Sequence, residues 1–358
     1  MNKELSFNYV IFDNNTNSFY KLTLNDLLNK SFIQVNNPPM GDRCFFERLL
    51  YKFHVSEHFR LPFKSIWNKR IFRNCFGNDK PICFLFSSDL ITLKRLKFFE
   101  FLKSEYKDCK LVYYCRDLFD LYFKRYKDFD LDYIKKTFDV ILNYDLSQVL
   151  KYDLTFYPDF ESMIDLSKYK GDDVKDVVFV GAAKGRLDMV LNCYNYLTNN
   201  NISCDFYIVG APKDVKSKYP GIVFSDKWLS YDQVLTKIAN ARCILEIIQE
   251  NSVGYSARAM KAFGYNKQLI TTSSTVKFTR FFDNYNVQCI SDPRDINIEA
   301  LNEKKTVDYH YKDEFSPIKM IEFLDALFVN HTSAAEFFSD WIDLESFKEY
   351  LQNSVSIK

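Results

Sequence analysis

The sequence predicts an α/β protein of two doubly wound, Rossmann-like domains, and three observations carry that expectation. Short, nearly continuous apolar runs such as PICFLF and CILEII read as strands buried on both faces, as parallel sheets require. Stretches with apolar residues at helical spacing separate these runs. The alternation stops once, over a polar and charged stretch, and then resumes. A chain of 358 residues suits two domains at roughly 100–200 residues each.

In the first half, 8–12 (NYVIF) reads as a strand and 45–53 as a helix. Residues 81–86 (PICFLF) form the next strand. Leu93, Leu96, Phe99 and Leu102 recur at helical spacing and place a helix over 90–106. The run 110–115 (KLVYYC) is a strand. Residues 118–136 are largely helical with a break near Phe129. A strand at 138–142 (FDVIL), a short helix at 145–150 and a strand at 154–157 follow, ending at Pro158. Residues 159–176, with Gly171-Asp172-Asp173, read as the interdomain linker.

The second half repeats the alternation. Strands are expected at 177–180, 204–209, 222–224, 243–248, 268–271 and 287–290. Helices are expected at 185–198, 231–241, 256–263 and 317–330, with another over 334–352. The boundaries follow: a first domain over 1–165, a second over 166–330, and a C-terminal helix within 331–358 that crosses back to the first. No repeat of about 20–50 residues marks a solenoid.

Apolar residues make up 47% of the chain, enough for a core in each domain, and nine glycines with nine prolines exclude a fibrous or disordered class. The net charge of +1 offers no global field for nucleic acid, which is not expected as a partner. Nine cysteines lack CxxC spacing, so they read as free thiols of a reducing compartment, with no disulfide framework or zinc site. The N-terminus has no signal-like apolar core, and no apolar run reaches the ~18 residues that span a bilayer, so a cytoplasmic protein is expected.

Doubly wound sheets bind ligands beyond the carboxyl ends of their strands. Two turns of the second half stand out there. The first is Gly181-Ala182-Ala183-Lys184-Gly185-Arg186, where glycine permits close backbone approach and two cations suit a pyrophosphate. It matches neither GxGxxG nor a Walker loop, and an ordinary solvated turn accounts for it equally well. The second is 249–258 (QENSVGYSAR), where Gly254 and the cap-type Ser256 precede a helix carrying Arg258. A normal helix cap explains this turn too. Two such turns in one sheet would fit a nucleoside diphosphate between them.

The succession FVGAAKGRLDMVLNCYNYL, CDFYIVG, LSYDQVL and CILEIIQENSVGYSARAMKAFGYNKQLITT resembles the nucleotide-sugar-binding domain of GT-B glycosyltransferases, most closely those of bacterial capsule, exopolysaccharide and lipopolysaccharide synthesis. The resemblance covers about 177–290; the first half matches by architecture and by YDLTFYPDF. It implies a GT-B fold, two Rossmann-like domains facing across a cleft. It implies a sugar transfer from a nucleotide-diphosphate donor, a UDP-sugar first, to a glycan or lipid-linked glycan acceptor. The family's basic, glycine-containing turn holds the donor diphosphate, which points to Gly181, Lys184 and Arg186. The later helix start adds Gly254, Tyr255, Ser256 and Arg258. Tyr231 lies near the expected nucleobase region.

One departure stands out. Many retaining relatives carry a Glu-Ala pair whose glutamate binds the donor ribose, whereas this chain has Lys261-Ala262. An ammonium cannot accept a hydrogen bond, so either Glu246 or Glu250 serves instead or the donor is held differently. The change also leaves room for a non-catalytic nucleotide-sugar or glycan-binding homologue, or for a nucleotide-sugar epimerase of like architecture. The absence of GxGxxG disfavours a dehydrogenase.

No cofactor and no metal are expected, because helix dipoles and cations offset the diphosphate charge in this family. The DxD strings at Asp128-Phe129-Asp130 and Asp130-Leu131-Asp132 lie in a charged helical region and read as a solvated face. An inverting reaction would need a general base from the first domain, for which Asp13, His54, His58 and Asp117 are the candidates, with Asp89 and Arg116 also at strand ends. His54 and His58 stand four apart, one helical turn, a zinc-like spacing with no third ligand that reads as a partly buried or surface pair. Residues 59–76 mix Arg and Lys with Phe, Ile and Trp67. That suits either an anionic membrane surface at the inner face of the cell membrane or a helix packed on its own domain.

Overall fold

The computed structural model describes residues 4–12, 22–36, 44–56, 58–59, 61–77, 79–125, 130–249, 252–254 and 256–355. Contacts divide the chain into two compact units: Met1–Tyr157 with Pro317–Ala334, and Pro158–Ser316 with Ala335–Lys358.

The first unit holds a parallel sheet of β1 (Asn8–Phe12), β2 (Ile33–Asn36), β3 (Ile82–Ser87), β4 (Lys110–Cys115), β5 (Val140–Asn143) and β6 (Thr155–Phe156), in the order β2-β1-β3-β4-β5-β6. The central strands β1, β3 and β4 are buried almost throughout, which is why their sequences are continuously apolar. Its helices include α1 (Phe45–Val55), α2 (Phe98–Glu105), α3 (Phe119–Arg125), α4 (Leu131–Thr137) and α5 (Leu146–Tyr152). Where one helix was expected over 90–106 there is a 3-10 turn, Ser88–Leu96, and then α2. The break falls at Lys97, which takes a left-handed backbone (φ 53°). Asp130 caps α4 by accepting from the Asp132 amide at 3.0 Å, while Asp128 and Phe129 lie outside the described residues.

The second unit holds β7 (Lys175–Ala182), β8 (Cys204–Val209), β9 (Val223–Ser225), β10 (Ala241–Glu246), β11 (Gln268–Thr271) and β12 (Val287–Cys289), all parallel, in the order β12-β11-β10-β7-β8-β9. Its helices include α6 (Leu187–Asn199), α7 (Tyr231–Ala239), α8 (Ala257–Gly264) and α9 (Ile298–Asn302). The chain starts at the centre with β7, builds outward to β9, then returns to lay β10 against the other side of β7. That reversal is the topological switch point of a doubly wound sheet.

The expected linker is not a solvated tether. Phe160, Glu161 and Ser162 are buried, and the Glu161 amide donates to the Phe315 carbonyl at 2.8 Å within the second unit. The helix that rejoins the first unit is α10 (Pro317–Asn330), not the expected C-terminal one. Its Asp325 accepts from the Ser6 amide at 2.8 Å and the Tyr9 hydroxyl at 3.2 Å. The helix expected over 334–352 divides into Ala334–Phe337 and α11 (Leu344–Val355). Between them the chain turns, with the Trp341 and Ile342 amides donating to the Phe338 carbonyl at 3.0 Å, and the buried Trp341 and Ile342 anchor it in the second unit, Ile342 through a bridge to Thr279. Phe347 of α11 stacks on Phe278 at 5.0 Å.

All nine cysteines are free thiols. Among the described residues no helix is long and apolar enough to cross a membrane.

Candidate functional site

Arg186, Arg258, Glu246 and Ser256 of the second unit come together at its switch point, between the carboxyl ends of β7 and β10. Arg186 leaves the turn after β7, donating from Nε to the Ala182 carbonyl at 3.1 Å and from Nη1 to the Ile247 carbonyl at 2.6 Å. It therefore reaches from the end of one strand to the end of the other. Arg258, in the first turn of α8, reaches back the opposite way. Its Nε and Nη2 donate to the Val180 carbonyl at 3.0 and 2.7 Å. The two guanidiniums flank the buried ring of Phe179, at 5.9 and 5.1 Å from its centroid.

Gly181 is the floor of this arrangement. A Cβ there would fall 3.2 Å from Arg186 Nη2 and closer still to Arg258 Nη2. A methyl there would also meet the Phe179 ring at 3.0 Å, so with glycine both guanidiniums can lie over the strand where a larger residue would push them aside. Among the described residues neither arginine forms an ion pair, and both donate to backbone carbonyls. Burial lowers the Arg186 pKa. Burial first, and then the neighbouring Arg186 charge, bring Arg258 down to about 10, while the Glu246 charge opposes both shifts. Both stay protonated at neutral pH, so the site carries two positive charges held side by side.

Glu246, the last residue of β10, is fully buried. It accepts from the Ser256 amide at 3.0 Å, the Ser256 hydroxyl at 2.5 Å and the Thr271 hydroxyl at 2.6 Å. Ser256 in turn caps α8 by accepting from the Arg258 amide at 3.2 Å. Glu246 thus holds the start of α8 in place. Gly254 is buried beside it, and its carbonyl accepts from the Ser273 hydroxyl at 3.3 Å. Lys184 is exposed at the mouth of the first turn with a left-handed backbone (φ 41°). Gly181, Arg186, Gly254, Ser256 and Arg258 therefore share one end of one sheet. Tyr255 and Glu250 lie outside the described residues.

Tyr231 and Lys261 meet elsewhere in the unit. The Lys261 ammonium is buried and lies 2.5 Å from Glu161 Oε2, and the Tyr231 hydroxyl donates to Oε1 of the same carboxylate. The Tyr231 hydroxyl is thereby committed to an internal partner. Sequence reasoning missed Glu161 because it sits in the polar stretch read as a linker; its signal was the aromatic run just before it, FYPDF, which anchors the chain.

In the first unit Asp117 lies half-buried just past β4, accepting from the Leu118 amide at 2.9 Å. His54 is buried on α1. Its Nδ1 accepts from the Trp67 indole at 2.6 Å, and burial together with Lys64 lowers its pKa. His58 lies beyond the end of α1, so the two histidines do not share a helical face. Asp13 lies outside the described residues. Among those described, no group of three His, Cys, Asp or Glu side chains could hold a metal.

No protein-family model matches the chain, and no curated protein matches it by sequence. Solved structures do match its shape. An α-glucosyltransferase in complex with UDP-glucose and DNA containing an abasic site superposes with a TM-score of 0.51 at 13% identity, covering 98% of this chain and 99% of that one. An α-glucosyltransferase in complex with UDP and a mismatched 13-mer DNA gives 0.51 at 15% identity over 98% and 99%. A UDP-N-acetylglucosamine 2-epimerase gives 0.49 at 10% identity over 92% and 97%. Two parallel six-stranded sheets, and a match in shape along nearly the whole length of the glucosyltransferase chains, identify the fold as GT-B, as the resemblance implied.

Proposed function

We propose that this chain is a glycosyltransferase that takes a sugar from a nucleoside-diphosphate donor, a UDP-sugar first. The observation that carries the proposal is the pair of guanidiniums, Arg186 and Arg258, that form no ion pair among the described residues and converge over Gly181 at the switch point. Like charges held together in a partly buried place repel, and an anion seated between them relieves that cost. A diphosphate supplies such an anion. The start of α8, held by Ser256 and Glu246, would add backbone N–H groups and the positive end of its dipole. Lys184 at the mouth would close over the outer phosphate.

The chemistry follows from this placement. As the glycosidic bond of the donor breaks, negative charge grows on the leaving diphosphate. Groups that already face it with positive charge then stabilise the transition state more than the bound donor. Cations and a helix start neutralise the leaving group, so donor binding would need no metal or other cofactor, and a chelator should leave it unchanged. A general base, where the reaction inverts, would come from the first unit, with Asp117 or Asp13 as the candidates.

The acceptor belongs to the same proposal: a bacterial surface glycan or its lipid-linked precursor, elongated in the cytoplasm at the inner face of the membrane. The resemblance to capsule, exopolysaccharide and lipopolysaccharide enzymes supports it. A second reading, a homologue that binds nucleotide-sugars without transferring the sugar, is favoured by Lys261, whose ammonium is paired with Glu161 and offers a ribose no acceptor.

Calorimetry with UDP, GDP and CDP on the wild type and on Arg186→Gln and Arg258→Gln tests the site. Each substitution should weaken the preferred nucleotide about 10–100-fold, the range for a lost charge-assisted hydrogen bond. Unchanged affinity in both overturns it. Product analysis with the bound nucleotide-sugar then separates transfer, epimerisation and binding alone.

A further inference from the structure

Helix α1 exposes the side a soluble helix buries. Tyr51 and His54 face the core, whereas Phe45, Phe46, Leu49, Leu50 and Phe53 are exposed, Phe45 and Phe46 to 66% and 77%. At 3.6 residues per turn these five fall on one contiguous face about 140° wide. Phe59 packs on Phe53 with ring centroids 4.8 Å apart, and Phe63 and Ile66 are exposed on the segment that follows. Within residues 59–76 the buried members are Trp67, Asn68, Ile71 and Phe72, so that stretch is partly core and partly surface.

The charge around this face is one-sided. By sequence, residues 44–76 hold seven Lys or Arg against two Glu, a net +5 within a chain whose total is +1, and one of these cations, Arg70, pairs with Glu47 at 3.3 Å. Arg48 and Lys52 lie along one edge of the apolar arc and both are exposed. Long cationic side chains at the rim of an apolar face can reach headgroup phosphates while the face itself enters the acyl region. A nucleic-acid site would instead need its cations within the face, interleaved with the aromatics. A second copy of the chain would bring a second +5 against the first.

We propose that α1 and the Phe59–Ile66 segment form a docking surface for an anionic lipid bilayer, with the apolar arc inserted and the basic rim on the headgroups. This extends the proposed location at a membrane, yet its test involves no nucleotide, so either reading can fail without the other.

The test is co-sedimentation of the full chain with vesicles of phosphatidylcholine alone or with about 30% phosphatidylglycerol, an anionic fraction large enough to set up a negative surface potential. The chain should pellet with the anionic vesicles at low salt and far less with the neutral ones. Phe46→Ser/Phe63→Ser should lower partitioning about tenfold or more, because both rings lose their apolar transfer. Arg48→Gln/Lys52→Gln should weaken binding and reduce its salt dependence, and both variants should keep the wild-type melting temperature. Three results would each overturn the proposal: no binding to anionic vesicles; binding that neither double variant weakens; or light scattering that shows a dimer dispersed by Phe46→Ser/Phe63→Ser. Preferential binding of duplex DNA, lost in the same variant, would assign the surface to nucleic acid and overturn it as well.

Discussion

Gly181 and Lys261 show how single residues constrain this site. Gly181 is legible in the sequence as a glycine at a strand end, but its reason is not, because Arg258 lies far from it along the chain. Gly181→Ala should leave the fold intact and displace a guanidinium, since the added methyl would collide with Arg258 and crowd Arg186. Calorimetry should then show nucleotide affinity falling as far as in Arg258→Gln. Lys261 is legible as a departure from the resembling enzymes, and the sequence alone suggests lost ribose binding. The structure adds a structural duty, a buried pair with Glu161. Lys261→Met would strand that carboxylate, and removing one partner of a buried pair costs about 3–5 kcal/mol. Lys261→Met/Glu161→Gln should recover much of the loss in a denaturant melt, because the glutamine carbonyl still accepts from Tyr231. Lys261→Glu, which restores the residue of the resembling family, should destabilise as well, by setting two carboxylates together out of water.

Among elements, the strands read most clearly. β1, β3, β4, β8 and β10 are buried, and a run of apolar residues announces that directly. β2 was not legible, because it is half-exposed throughout and its IQVN, though it alternates, spans only four residues with two apolar ones and forms no continuous apolar run. Helix ends fared less well than helix existence. Lys97 breaks the helix expected over 90–106 by a backbone choice that its side chain does not advertise. Helix α8 ties local capping to function: Ser256 both caps it and donates to Glu246. Ser256→Ala should therefore cost about 1 kcal/mol as a lost cap and weaken nucleotide binding several-fold, read by thermal melting and calorimetry on one sample.

At the scale of the whole molecule, the two units are separately packed, and this separation should be visible in unfolding. Phe323 of α10 is fully buried in the first unit, its ring 5.6 Å from that of Tyr157. Phe323→Ala should remove about 3–5 kcal/mol from the first unit alone. In a calorimetric scan it should lower one transition, while the preferred nucleotide raises the other by mass action. A single transition moved by both would show that the units melt together. The interrupted first unit also has a consequence for synthesis. Its sheet leaves the ribosome by Tyr157, yet α10, which covers part of it, begins only at Pro317, about 160 residues later. At about 5–20 residues per second the nascent chain spends roughly 8–32 s with that apolar bed bare. Chaperones that capture unfinished domains should therefore crosslink to ribosome-stalled chains ending near residue 300 more than to released protein.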